Sequence, residues 1–211
     1  DTLDYATSAT AVSVNLATGL AQGGDAQGDL VVRFENLRGS DFDGVLTGDA
    51  GANRLRGGAG DDRLAGAAGA DVLDGGAGSD TADYAASGAA VTIDLAAGTA
   101  SGGDANGDTL VSIENAIGSA HDDIIKAAAA GSVIAGGAGD DAIAAGAGAD
   151  TLDGGQGEDR VDYSASSAGV TVNLATGSGA GGDAAGDRYT AIEDVTGSAF
   201  ADRLTGDAGG N

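Results

Sequence analysis

A nine-residue period constrains this chain more than any other feature. Between Gly57 and Asp83 it reads Gly-Gly-Ala-Gly-Asp-Asp-Arg-Leu-Ala, Gly-Ala-Ala-Gly-Ala-Asp-Val-Leu-Asp and Gly-Gly-Ala-Gly-Ser-Asp-Thr-Ala-Asp. Glycine recurs at the first and fourth places, aspartate at the sixth, and a small or apolar residue at the eighth. Glycine reaches positive φ at little steric cost, so such a hexamer can curl until several backbone carbonyls face one point. The sixth-place aspartate adds a hard anionic oxygen, the donor type that Ca²⁺ gathers in sets of six to eight. The last three residues alternate outward, inward, outward, as a short β-strand does. One nonamer is therefore half a coil, and loops eighteen residues apart stack on the same side.

This is the Gly-Gly-x-Gly-x-Asp-x-U-x nonapeptide, with U large and apolar. The stretch resembles the calcium-binding repeats of the RTX (repeats-in-toxin, haemolysin-type) family. The resemblance implies an all-β fold, a parallel β-roll or β-helix solenoid with about two short strands per coil and calcium between stacked glycine-rich loops. It also implies carboxylate ligands at Asp62, Asp80, Asp141 and Asp159, with carbonyls of loop residues such as Gly57, Gly75, Gly136 and Gly154 completing the shell. Gly60, in the loop of Asp62, and Gly66, which opens the loop of Asp71, are further candidate metal-binding residues. Asp62 is expected to share an ion with the loop of Asp80, while Asp71 sits on the opposite edge facing Asn53. Asp71, Asp123, Asp150 and Asp202 complete the sixth-place aspartates, and Asn53 and Asn211 are neutral substitutes. Gly44 and Ser132 stand where an aspartate is expected, which predicts weak or missing sites at those two loops.

A longer period contains the short one. Asp4-Tyr5, Asp83-Tyr84 and Asp162-Tyr163 recur at intervals of 79, as do Gly39-Ser40, Gly118-Ser119 and Gly197-Ser198. The expected organisation is connector coils over 1–38 (closing a preceding repeat), nonamers over 39–83, connector over 84–117, nonamers over 118–162, connector over 163–196, and a third nonamer set opening at 197–211. Both ends fall inside repeats, so the sequence reads as an excerpt of a longer array. Each connector begins with strand-like alternation (Val12, Val14, Leu16 in the first copy) and ends with apolar residues three apart (Val31, Phe34, Leu37), which predicts a strand with a bend. Between them lies Gly-Gly-Asp-Ala-x-Gly-Asp, read as an enlarged nonamer loop. It offers calcium the pairs Asp25/Asp29, Asp104/Asp108 and Asp183/Asp187; the competing reading is a solvated turn. The connectors are expected to be wider coils of the same solenoid. If successive modules present one face, each connector adds one and a half turns.

Composition limits the core. The 211 residues include 41 glycines, four tyrosines and three phenylalanines, and lack Trp, Met, Pro and Cys. A thin layered core, with one or two aliphatic side chains per half-coil, is what they can fill. At a net charge of −24 the chain should be disordered without counter-cations, since so little burial cannot offset self-repulsion and backbone entropy. The acidic balance argues against nucleic acid and anionic membranes as partners. No apolar run approaches the roughly 18 residues that span a bilayer. Absent cysteine fits an extracellular calcium-stabilised protein without excluding the cytosol.

Enzymatic readings find no support. There is no His-Glu-x-x-His, and the single histidine, His121, aligns with Phe42 and Phe200, where a structural ring is expected. Paired carboxylates recur everywhere, whereas a catalytic pair occurs once; the chain is expected not to be an enzyme. Tyr5, Tyr84 and Tyr163 are read as covers of the coil, each after a strand-end aspartate. Glu35, Glu114 and Glu193 form a polar ladder or assist an ion, two readings left open.

Two functions follow. The first is a calcium-binding structural repeat array of a secreted long surface protein, such as an adhesin stalk, surface-layer or matrix filament. Its partners would be calcium, further copies of the same repeat, and cell-surface or polysaccharide groups. The second is a calcium-dependent folding and export module of a secreted enzyme or cytolysin encoded elsewhere in the chain. The resemblance implies type I secretion and an extracellular or bacterial cell-surface location, the chain folding when it meets calcium.

Overall fold

The computed structural model describes residues 1–210; Asn211 lies outside the described residues. Its regular elements are β-strands, most of them three residues long, with short 3₁₀ turns. The chain forms two compact units, Asp1–Val91 with Gly98–Ile113, and Thr92–Ala97 with Glu114–Asn211.

In the first unit, successive nonamers send strands alternately to two parallel ladders. Asn36–Arg38, Arg54–Ala59 and Val72–Ala77 pair in one, with Leu37 beside Leu55 and Leu55 beside Leu73. Val45–Thr47, Arg63–Ala65 and Thr81–Asp83 pair in the other, with Leu46 beside Leu64 and Leu64 beside Ala82. Every step is eighteen residues, two nonamers. The inward residue of each strand is the eighth-place apolar one, and these leucines are all buried. One aliphatic side chain per half-coil therefore fills the core, and truncating one to alanine costs about 2–5 kcal/mol.

The second unit repeats the scheme with mostly β-branched inward residues. Ile125, Ile143, Val161 and Val195 are in register along one ladder, and Ala116, Ile134 and Leu152 along the other. The longer strands Val133–Ala138 and Thr151–Gln156 pair through their strand residues and on into the following glycine loop, Gly137 against Gly155.

Within each unit the connectors stack in these same ladders as wider coils. Their turn count differs from the expectation. Leu3 is the direct parallel neighbour of Leu37, and Val161 of Val195, so 34 residues advance the ladder by one turn, not one and a half. The surplus length folds into a meander inside one sheet. Thr171–Asn173 runs antiparallel to Ser178–Ala180, which is antiparallel to Arg188–Thr190, which rejoins the parallel ladder beside Thr151–Gln156. The predicted bend is present. Ala191, between Arg188–Thr190 and Asp194–Thr196, has φ 47°, and its equivalents Arg33 and Ser112 have φ 64° and 48°. Non-glycine residues rarely hold this left-handed conformation.

Candidate metal centre

The loops are built from the first-place glycine upward. A methyl group on Gly57 would sit 2.2 Å from Asp62 Oδ2 and 2.6 Å from the Gly75 carbonyl oxygen. On Gly136 it would sit 2.2 Å from Asp141 Oδ2 and 2.6 Å from the Gly154 carbonyl oxygen. Glycine is needed there for space: the sixth-place carboxylate folds back over its own loop while the next coil's carbonyl approaches from the other side. At Gly60 the reason is conformational, since φ is 93°. Carboxylate and carbonyl oxygens thus surround a cradle that any side chain would fill.

The aspartates stack in columns. Asp62 Oδ1 accepts the Gly44 N–H at 2.7 Å, and Asp80 Oδ1 accepts the Asp62 N–H at 2.8 Å. On the opposite edge, Asp71 accepts from Asn53 and Asp108 accepts from Asp71, both at 2.8 Å. In the second unit Asp141 accepts from Asp123, Asp159 from Asp141, Asp150 from Ser132 and Asp187 from Asp150. One oxygen of each carboxylate is thereby fixed. The other, Oδ2, is buried without a hydrogen-bond partner in Asp62, Asp71, Asp141, Asp150 and Asp159.

Such an oxygen is expensive. Burial pushes the pKa of Asp62, Asp71 and Asp141 up to about 7 and that of Asp150 up to about 6; the backbone N–H on Oδ1 pulls the other way, and neighbouring carboxylates push further up. Asp159 is raised for the same leading reason. A buried acceptor left unmatched costs about 1–3 kcal/mol, more when charged. The cradle therefore calls for a proton or a cation, and its oxygen-only donors suit a hard ion such as Ca²⁺. Among the described residues no three His, Cys, Asp or Glu side chains converge, so backbone carbonyls must supply most of any shell.

Other predicted site residues have different surroundings. Asn53 Oδ1 accepts the Asp49 N–H, and its Nδ2 donates to the Glu35 carbonyl and to Asp49 Oδ1. Asp123 accepts from both the N–H and the hydroxyl of Ser119. Asp202 Oδ1 accepts from the Ser198 hydroxyl and the Val170 N–H. Both serines belong to the Gly-Ser pair that opens a nonamer set. Ser132 Oγ accepts the Ala128 N–H at 3.1 Å.

The connector loops are organised around tyrosine, serine and alanine. Tyr5, Tyr84 and Tyr163 are buried, and their hydroxyls donate to Oδ2 of Asp29, Asp108 and Asp187. Asp108 and Asp187 thus occupy the nonamer columns, but a phenol meets the oxygen that nonamers leave bare. The backbone N–H groups of Asp25, Asp104 and Asp183 donate to Ser8, Ser87 and Ser166. Each lies in a 3₁₀ turn whose buried residue is an alanine: Ala26, Ala105 or Ala184.

Three further readings gain detail. Glu193 Oε2 accepts the Asp159 N–H at 2.9 Å, continuing the column with a glutamate. Asp4, Asp83 and Asp162 each accept the N–H two residues on, closing a turn after the strand. Phe42, His121 and Phe200 are exposed, so packing does not require a ring there. What they share is a backbone N–H donated to the opening serine's hydroxyl.

A second acidic row escaped the sequence reading. The fifth-place Asp43 accepts the Asp61 N–H and Asp61 the Ser79 N–H; Asp122 accepts from Asp140 and Asp140 from Glu158. These exposed bonds point along the chain oppositely to the sixth-place ones. The doublets Asp61-Asp62, Asp122-Asp123 and Asp140-Asp141 were the available signal.

The family model described as RTX calcium-binding nonapeptide repeat (4 copies) matches residues 38–82 and 129–161. No curated protein matches the chain.

Proposed function

Residues 38–82 and 129–161 are repeats of the RTX calcium-binding nonapeptide family, and from that premise we propose that this chain is a calcium-binding structural repeat segment of a long secreted surface protein. One observation carries the reading: the buried Oδ2 atoms of Asp62, Asp71, Asp141, Asp150 and Asp159 have no hydrogen-bond partner, while Oδ1 of each is already held by a backbone N–H. Calcium, when bound, supplies the positive partner these oxygens lack. We assign it to Asp62, Asp71, Asp80, Asp141, Asp150 and Asp159, with carbonyls of first-place glycines such as Gly57, Gly75, Gly136 and Gly154.

The chain's own part is positioning. Each N–H to Oδ1 bond fixes the carboxylate, and each glycine keeps the cradle open. Asp29, Asp108 and Asp187 are assigned to tyrosine, and Asp123, Asp202 and Asn53 to weaker or absent sites because their own loops hold them. The repetition presents a surface, not a single pocket, and we read the segment as non-catalytic. Among the described residues no helix is long and apolar enough to cross a membrane.

An ion that binds only the folded coil stabilises it by RT ln(1 + [L]/Kd) per site. The polyanion then stays unfolded where calcium is scarce and folds where it is plentiful, as export followed by extracellular folding requires. Circular dichroism during a calcium titration tests this. Disorder in chelator and a β-rich signal at millimolar calcium are expected; a β-rich spectrum unchanged by chelator overturns the reading.

A further inference from the structure

In the regular coils, the carbonyl that approaches each first-place glycine comes from the first-place glycine one turn on. A methyl on Gly39 would meet the Gly57 carbonyl oxygen at 2.5 Å, and one on Gly118 the Gly136 carbonyl oxygen at 2.2 Å. The last nonamer of a set has no such successor. A methyl on Gly154 would nevertheless meet the Ala191 carbonyl oxygen at 2.1 Å, and one on Gly75 the Ser112 carbonyl oxygen at 2.3 Å. Ala191 and Ser112 are the residues bent into the left-handed region, at φ 47° and 48°. The strained bend thus turns a connector carbonyl into the place a nonamer glycine would fill.

The carboxylate is replaced too. Where the column needs an acceptor for the Asp159 N–H, Glu193 Oε2 takes it, and the Asp159 carbonyl in turn accepts the N–H groups of Glu193 and Asp194. The carbonyl half of the arrangement recurs two modules earlier, where the Asp1 carbonyl accepts the N–H groups of Glu35 and Asn36. Asp159 itself is fully buried, and its Oδ2 has no hydrogen-bond partner and points into the cradle over Gly154. Three connector residues, Ala191 to Glu193, therefore stand in for the six of a nonamer loop.

We infer that the connector closes the divalent-cation site of Asp159 at the end of the nonamer set, the Ala191 carbonyl and the Glu193 carboxylate joining Asp159 there. The site has no nonamer on its outer side, so the connector supplies what the next nonamer would. The inference rests on the proposed calcium reading and adds ligands to it.

Calcium titration calorimetry on the 211-residue chain tests it, with folding followed by circular dichroism at saturating calcium. Glu193→Gln keeps an acceptor for the Asp159 N–H and removes only the charge. It should lose one bound ion per chain, or weaken one site at least about tenfold, because affinity follows ligand charge. Asp4→Asn, the same charge change at an exposed strand end of the first unit, should leave the count unaltered. If Glu193→Gln does not fold, Ala191→Val decides, since a β-branched residue resists positive φ and displaces the same carbonyl; loss of one ion is again expected. An unchanged ion count and affinity in these variants, beside a wild type that binds calcium, overturns the connector site alone. A wild type that binds no calcium overturns the calcium reading with it.

Discussion

The nonamer loop at Asp150 and the connector loop at Asp187 are neighbours in one column of the second unit, and both aspartates are buried. Each gives Oδ1 to a backbone N–H one turn back, from Ser132 and Asp150 respectively. They part at Oδ2. That of Asp187 accepts the Tyr163 hydroxyl, itself hydrogen-bonded to Tyr189, whereas that of Asp150 has no donor. The same carboxylate, in the same column, is completed internally in one loop and left for a cation in the other. Stacking and ion binding are therefore separable. The column needs a partner for every Oδ2, but only the nonamers require that partner to come from solution.

The largest effect should come from emptying one nonamer column. Asp62→Ala with Asp80→Ala should raise the calcium midpoint of folding about tenfold or more, read by circular dichroism. A midpoint unmoved by the pair would erase the distinction between loops. On the connector side, Tyr163→Phe leaves Asp187 Oδ2 buried without its donor. Chemical denaturation at saturating calcium should show a loss of about 1–3 kcal/mol, with the number of bound ions no lower than in wild type. A lost ion instead would place calcium at the connector loop.

Protons should imitate calcium at the nonamers. In the calcium-free coil Asp62, Asp71 and Asp141 have pKa values raised by burial to about 7, against 3.8 in the unfolded chain. The folded state then binds more protons than the unfolded state between about pH 4 and 7, so its stability rises as pH falls through that window and is lost as pH rises. Without calcium, the β-rich signal should grow from pH 7.5 towards about pH 4.5; a signal that shrinks on acidification contradicts the assignment. The smallest effect belongs to Asp49→Ala. Asp49 accepts from Gly51 and Asn53 in a loop whose sixth place is a neutral amide, so the calcium midpoint should move by less than about twofold.

Much of this was legible in the nine-residue spacing. Glycine at places one and four, an acid at six and an aliphatic residue at eight imply loop, strand and eighteen-residue stacking, and Leu55 beside Leu73 with Asp62 bonded to Asp80 realise it. What escaped depends on partners that spacing cannot reveal. Tyr163 and Asp187 are 24 residues apart and meet because the connector folds a meander between them. That same meander absorbs the half-turn the connector was expected to add. Ser119 was visible as a period marker, but its hydroxyl on Asp123 depends on how one loop curls. Glu193 was ambiguous because its role depends on a backbone N–H of another coil.

The central claim is that cations complete the nonamer carboxylates and tyrosines complete the connector ones. A high-resolution density map of the calcium-loaded chain, with anomalous scattering to identify the ion, tests it most directly. The account predicts calcium against Oδ2 of Asp141 and Asp150 and none against Oδ2 of Asp187. Intact coils with no ion beside Asp141 and Asp150 would contradict it.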